Sequence, residues 1–338
     1  MHSQRKLEHL RACLEEDVSF KAVTTGLERF RLIHQALPEL SLEEIDLSCE
    51  FLGRRLKAPL LISAMTGGTP SAEMVNRNLA AAAQERGIAM SVGSQRAALN
   101  HKELAATYRV RDVAPDILLF ANLGAVQLNY EYGLAECRQA VDMIGADALV
   151  LHLNPLQECL QFDGNTNFRG LLSKIRAICS ELSCPVVVKE VGWGLSAKAA
   201  RMLVDAGVGA LDVAGAGGTC WATVERHRAT QENWRRIAEN FSEWGISTAD
   251  SIRWVKKAAP QIPLIASGGV RTGIDVVKAI CLGAKVAGMA LPFLKPATIS
   301  SEQVLDRLDE ILQEIRIAMF CSGAQTVQQL DESYLYQP

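Results

Sequence analysis

The chain has 338 residues, 49% of them apolar, enough to bury one large core, and its 35 Lys and Arg against 38 Asp and Glu leave a net charge of −3. So weak a charge builds no field suited to nucleic acid or an anionic membrane surface, so neither partner is expected and any phosphate-bearing ligand needs a local site. No apolar run approaches the ~18 residues of a membrane span, and nine scattered cysteines without a Cys-x-x-Cys pair or a charged-then-apolar leader read as a reduced, cytoplasmic protein.

Residues 1–57 read as an N-terminal extension. It opens on Arg5-Lys6-Leu7-Glu8-His9-Leu10, a charged helical start that puts Arg5, Lys6 and His9 on one face at i, i+1 and i+4. Three such groups can clamp a diphosphate, with Arg as a bidentate fork. The pattern alone fits a solvated terminal helix better.

From residue 58 to 325, eight short apolar runs alternate with helical patterns: Leu60–Ala64, Ile88–Val92, Ile117–Asn122, Ala148–His152, Val186–Val191, Ala210–Ala214, Leu264–Ser267 and Val286–Leu291. Strands separated by helices lie parallel and are covered on both faces. A doubly wound open sheet has the same alternation, but eight units in one series predict an α/β fold of the closed (β/α)8 type, which uses about 250 residues. The last helix carries Val304, Leu305, Leu308, Ile311, Leu312, Ile315 and Met319 at helical spacing. Residues 326–338 form a tail. An insertion over 219–247, rich in charge and holding Trp221, Trp234 and Trp244, interrupts the sixth unit and reads as a lid or an oligomer contact.

Chemistry in such a barrel gathers where strands end. After the first strand, Met65-Thr66-Gly67-Gly68 offers a surface with little side chain, and after the second, Ser94-Gln95-Arg96 can face solvent or an anion. The fourth run breaks into His152-Leu153-Asn154-Pro155-Leu156-Gln157-Glu158, able to bind a polar ligand, a cation or both; Glu158 is a hard ligand of the kind Mg²⁺ accepts. Lys189, inside the fifth run, can form a Schiff base, stabilise an anion or pair with an acid, although Glu190 points to the opposite face. Val213-Ala214-Gly215-Ala216-Gly217-Gly218-Thr219 lets a flat ring or a phosphate approach the backbone. Ser267-Gly268-Gly269-Val270-Arg271 opens a helix and, with Gly288-Met289-Ala290, forms the pair of loops that bind phosphate in many barrels.

Together these segments resemble the type II isopentenyl-diphosphate isomerases, FMN-dependent barrel enzymes of isoprenoid synthesis, over nearly the whole chain. The matching pieces are Arg5-Lys6-x-x-His9, Ala64-Met65-Thr66-Gly67-Gly68, Ser91-Val92-Gly93-Ser94-Gln95-Arg96, Ala121-Asn122-Leu123-Gly124, the segment from His152 to Glu158, Lys189-Glu190-Val191-Gly192-Trp193-Gly194, Gly215-Ala216-Gly217-Gly218-Thr219 and Ala266 through Arg271. The glycine motifs are shared with other flavin barrels, whereas the basic start combined with His152–Glu158 is specific. The resemblance implies a 1,3-allylic proton shift between isopentenyl and dimethylallyl diphosphate, with FMN active when reduced, NAD(P)H as a usual electron source, Mg²⁺, and a homo-oligomer, tetramer or octamer. That chemistry accounts for a strand-end inventory without an obvious strong acid and base pair beside an apolar pocket.

Carried over by position, the resemblance implies that Ala64, Met65, Thr66, Ser94, Asn122, Lys189, Thr219, Gly268, Gly269, Arg271, Met289 and Ala290 line FMN. Arg5, Lys6, His9, Ser94, Gln95 and Arg96 would bind the diphosphate; His152, Asn154 and Gln157 would face the substrate, Glu158 would hold Mg²⁺, and Trp221 would offer a π face to cationic character. Gln157, His152 and Trp221 are the expected catalytic side chains. Two positions depart from the family: Ala214 and Cys220 stand where Ser is common. Cys220 after a glycine-rich loop also admits a thiolate nucleophile, as in nucleotide dehydrogenases of the barrel class. Flavin-linked oxidation of 2-hydroxy acids is the stronger rival, with His227 and Arg228 as its candidate base and clamp.

Overall fold

The computed structural model describes residues 2–338, with the side chains of residues 2–5 and 7 outside that description. Eight parallel strands close into a barrel in chain order: β1 Leu60–Ile62, β2 Ala89–Ser91, β3 Leu119–Gly124, β4 Ala148–His152, β5 Val186–Lys189, β6 Ala210–Asp212, β7 Leu264–Ala266 and β8 Val286–Met289. All eight expected strands form. β1, β2 and β5 to β8 stop one or two residues before their apolar runs end; after β6 and β7 the backbone leaves the ladder for turns with positive φ, at Ala214 (38°), Gly268 (98°) and Gly269 (73°). Those early exits free the strand-end side chains and peptide groups to face the barrel mouth.

Around the barrel, helices bury one stripe each. Ser301–Ser322 is started by Ser300, whose side chain accepts from Gln303 N, and stopped by Gly323 in the left-handed conformation. Its Val304, Leu308, Ile311, Ile315 and Met319 are buried, while Leu305 and Leu312 lie at the edge of the stripe. Truncating Leu308 to Ala would cost about 2–5 kcal/mol.

The barrel's far end is stopped by the hairpin Cys49–Phe51 and Arg54–Leu56. Phe51 packs on Phe120 of β3 with ring centroids 6.5 Å apart, and Arg54 pairs with Asp147, just before β4. The tail returns to the extension, Leu335–Tyr336 pairing antiparallel with Arg31–Leu32.

At the mouth, the inserted segment folds as helices Trp221–Arg228 and Glu232–Asn240. The N-terminal helix His2–Glu15 packs against the first of these. The chain after that helix runs along the base of the insertion, Cys220 N donating to Val18 O at 2.7 Å and Phe20 N to Gly218 O at 3.4 Å. The inserted segment is thus a roof clasped by the extension, and Trp221 is the tryptophan of its trio that reaches the mouth, Trp244 being 61% exposed.

Candidate active site

Strand register builds the rim. Gly124 pairs with His152, His152 with Lys189, and Lys189 with Asp212, so one row across β3 to β6 carries an imidazole, an ammonium and a carboxylate at the same height and on the same face. His152 Nδ1 lies 2.9 Å from Asn122 Oδ1; in the neutral ring it donates there and leaves Nε2 with its lone pair. Gly124 leaves room for that nitrogen, since a Cβ would stand 3.2 Å from it. Burial, then the positive charges of Lys189 and Lys6, pull the His152 pKa down to about 3. The folded chain refuses a proton that the unfolded chain accepts near its ordinary value of 6.5. The stabilisation from a neutral His152 is therefore complete above that value and declines as pH falls below it. Ring-nitrogen NMR should show His152 neutral from pH 8 to pH 5; a titration centred near 6.5 would contradict this.

Lys189 Nζ donates to the Glu190 carbonyl and stands 4.0 Å from Asp212 Oδ2. Its acidic neighbour is therefore the register partner on β6, not Glu190. The Glu190 carboxylate turns away and accepts the N–H groups of Val191, Gly192 and Trp193 at 2.6, 2.7 and 2.5 Å, folding the loop after β5. Burial pushes its pKa up to about 7 despite those donors. Asp212 is also raised by burial, against the opposing pull of Lys189, and is held by Ser267 Oγ at 2.6 Å.

Above this row the mouth contains two adjoining lobes that share one wall. Lys6, His9, Ala64, Met65, Lys189, Val191 and Trp221 line both. The first lobe is further lined by Thr66, Gly215, Gly218, Thr219, Gly268, Gly269, Arg271 and Ala290, half of them glycines. Glycine is required there. A Cβ on Gly268 would stand 2.1 Å from Gly215 O, and one on Gly218 would stand 2.4 Å from Gly269 N. The lobe also holds the buried Ser63 Oγ, which has no hydrogen-bond partner among the described residues. A large flat group with a phosphate fits this cradle of exposed backbone, Arg271 and an unsatisfied hydroxyl.

The second lobe is polar. Glu158, 8% exposed, accepts from Asn154 Nδ2 at 3.0 Å and from Asn165 N at 2.5 Å. Asn165 Oδ1 in turn accepts from Arg96 at 3.2 Å and Gln127 at 3.0 Å. Asn154 Oδ1 is buried without a hydrogen-bond partner among the described residues. Among the described residues no cluster of three His, Cys, Asp or Glu can cage a metal. One carboxylate beside an unsatisfied amide oxygen instead suits a hard cation that takes most of its shell from ligand oxygens and water.

Lys6, His9, Ser94, Arg96, Asn122, His152, Asn154, Gln157, Glu158 and Trp221 meet in this second lobe, and Ala64, Met65, Thr66, Lys189, Thr219, Gly268, Gly269, Arg271 and Ala290 in the first. Ser94 and Asn122, also expected on FMN, line the second lobe and not the first; two residues line neither lobe, and the side chain of a third lies outside the described residues. Gln95, expected on the diphosphate, lines neither lobe: it is fully buried, its amide donating to Ala140 O at 2.8 Å and accepting from Asn122 N at 2.9 Å, which ties the loop after β2 to β3. Met289 is buried as the last residue of β8 and lines neither lobe. The Arg5 side chain lies outside the described residues.

Glu225 escaped the sequence reading. Buried at 3% exposure, it lies 2.9 Å from His9 Nε2, accepts from Gln157 Nε2 at 3.4 Å and pairs with Arg228. Burial would raise this carboxyl, but His9 and Arg228 together hold it below the usual range. The available signal was its place four residues after Trp221, on the same helix face. Trp221 also meets the His9 ring edge-on at 5.1 Å.

The rival residues lie elsewhere. Cys220 Sγ is buried against Ser242 O at 3.2 Å, and Cys220, His227 and Arg228 line neither lobe.

The profile of the FMN-dependent dehydrogenase family matches residues 2–115 and 143–337. Isopentenyl-diphosphate delta-isomerase of Nostoc sp. is 55% identical over 97% of this chain and 94% of its own. The same enzyme of Synechococcus sp. is 58% identical over 95% and 92%, and that of Stutzerimonas stutzeri 51% over 98% and 96%. Among solved structures, a mandelate oxidase variant with (S)-mandelic acid superposes with a TM-score of 0.68 at 19% identity, covering 98% of this chain and 93% of the oxidase. A flavocytochrome b2 variant with sulfite bound gives 0.70 at 17%, covering 98% and 82%. At those identities the two structures speak for the barrel alone.

Proposed function

The chain belongs to the FMN-dependent, type II isopentenyl-diphosphate delta-isomerases, and on that premise we propose that it interconverts isopentenyl and dimethylallyl diphosphate using reduced FMN and Mg²⁺. The observation that carries the reading is the wall shared by the two lobes, which sets a backbone-lined cradle for a flat phosphate-bearing cofactor directly beside a polar chamber for a diphosphate. FMN would lie in the first lobe against Ala64, Met65, Thr66, Lys189, Thr219, Gly268, Gly269, Arg271 and Ala290. When reduced, with NAD(P)H as its electron source, it would supply the proton chemistry of the 1,3-allylic shift.

The chain's own groups then bind and orient. Lys6, His9, Ser94 and Arg96 would neutralise the diphosphate, and Glu158 would hold Mg²⁺, which would supply further charge neutralisation there. Asn154 and Gln157 would orient the substrate, and a neutral His152 would add no competing positive charge. Met65 and Val191 give the five-carbon chain apolar surface, and the Trp221 face would favour developing cationic character by about 0.5–2 kcal/mol. The assembly would be a homo-oligomer, tetramer or octamer.

Anaerobically reduced, FMN-loaded protein with Mg²⁺ should interconvert the two diphosphates and take up deuterium from D₂O into the five-carbon chain, read by mass spectrometry. No exchange after verified flavin reduction would sink the proposal. Oxidation of lactate or glycolate would move it to the 2-hydroxy-acid class.

A further inference from the structure

We propose that Tyr108 is a positioning residue that fixes the Lys6 ammonium on the wall between the two lobes, and so holds the N-terminal helix in its working place. The inference rests on the reading of Lys6 as a diphosphate ligand. Tyr108 ends the segment Lys102–Tyr108 and is fully buried. Its hydroxyl donates to Ser94 O at 2.8 Å and accepts from Lys6 Nζ. Lys6 Nζ donates to the same carbonyl at 2.8 Å and sits 5.0 Å from the Tyr108 ring centroid. One phenol thus joins the N-terminal helix to the loop after β2.

It also meets the loop after β1. The ring fills the space where Gly67 has no side chain, a Cβ there falling 2.0 Å from a ring carbon, and a Cβ on Gly68 would stand 3.2 Å from the hydroxyl. The neighbouring residue pins the ring's backbone: Thr107 Oγ1 accepts from Gly68 N at 2.8 Å, and Asn76 Nδ2 donates to Thr107 O at 2.9 Å. Burial raises the phenol above its ordinary value, so it stays protonated as a donor. Tyr108 lines neither lobe, so whatever it contributes to ligand binding passes through Lys6 and the loops it joins. Lysine has many rotamers, and holding its charge in place before the ligand arrives lowers the ordering cost of binding.

The test is a double-mutant cycle on the FMN-loaded protein with Mg²⁺, read by calorimetry with inorganic pyrophosphate and by steady-state kinetics. Tyr108→Phe keeps the ring over Gly67 and removes the hydroxyl. It is expected to weaken pyrophosphate and raise the KM for isopentenyl diphosphate about tenfold, with kcat and FMN content within about twofold of the parent; the size is that of one hydrogen bond to a charged group. On a Lys6→Met background, the same change should add less than about twofold. Additive losses, unchanged pyrophosphate affinity in Tyr108→Phe while Lys6→Met is weakened, or release of FMN by Tyr108→Phe would each overturn the assignment. Parental affinity in Lys6→Met would instead overturn the reading of Lys6 as a diphosphate ligand, and this inference with it.

Discussion

Glu158→Gln is expected to lower Mg²⁺-dependent isomerisation by a hundredfold or more, a size on the order of the several kcal/mol a metal contributes to charge stabilisation, while FMN affinity stays within about twofold. Glu158 is the lone Asp or Glu among the described residues lining the second lobe. Its amide replacement keeps an oxygen for Asn165 N but loses the charge that recruits a divalent cation. The first lobe lacks Glu158 among its lining residues, so the flavin site should not register the change. Mg²⁺ titrations of activity, paired with flavin fluorescence during FMN binding, separate the two effects. Equal loss of both would mean that breaking the Asn154–Glu158–Asn165 network disturbs the fold and that Glu158 has no specific metal role.

The second large effect is expected at Gly268. Its φ of 98° is one that L side chains rarely adopt, and an added Cβ would lie 2.1 Å from Gly215 O and 2.4 Å from Gly215 N. Both obstacles are backbone, so no side chain can rotate away. The strain alone is about 1–3 kcal/mol, and relieving it moves apart the loops after β6 and β7 that form the cradle. Gly268→Ala should therefore purify colourless or with a small fraction of the parent's flavin, bind added FMN at least about a hundredfold more weakly, and melt several degrees lower. A fully yellow variant with unchanged melting would show that these loops do not hold the cofactor.

Both effects were partly legible beforehand, in different ways. Gly268 follows a short apolar run and precedes a helix start, a pattern set by near neighbours in the chain. Glu158 was visible for the same reason, as a carboxylate just past the end of β4. Gln95 looked equally functional from its position beside Ser94 and Arg96. Its side chain nevertheless turns into the layer between β2 and β3, where the Ala140 carbonyl and the Asn122 N–H are satisfied by its amide. Nothing local distinguishes an amide that faces a cavity from one that braces its wall.

The sequence by itself determined the eight strands, their parallel direction and the glycine-rich loops at one end, because apolar periodicity and glycine placement act over a few residues; closure rested on the count of eight units. The tertiary structure decided which polar groups share a site. His9 lies on Glu225 across 216 residues of chain, Lys6 on Tyr108 across 102, and Lys189 takes Asp212 as its acidic neighbour because the register of β5 and β6 puts them level. Those contacts follow from barrel closure and from the N-terminal helix docking on the inserted roof, and no local pattern encodes either distance. The basic start of the chain, read alone, looked like a solvated helix; folded, it supplies two cation-capable side chains to the wall between the lobes.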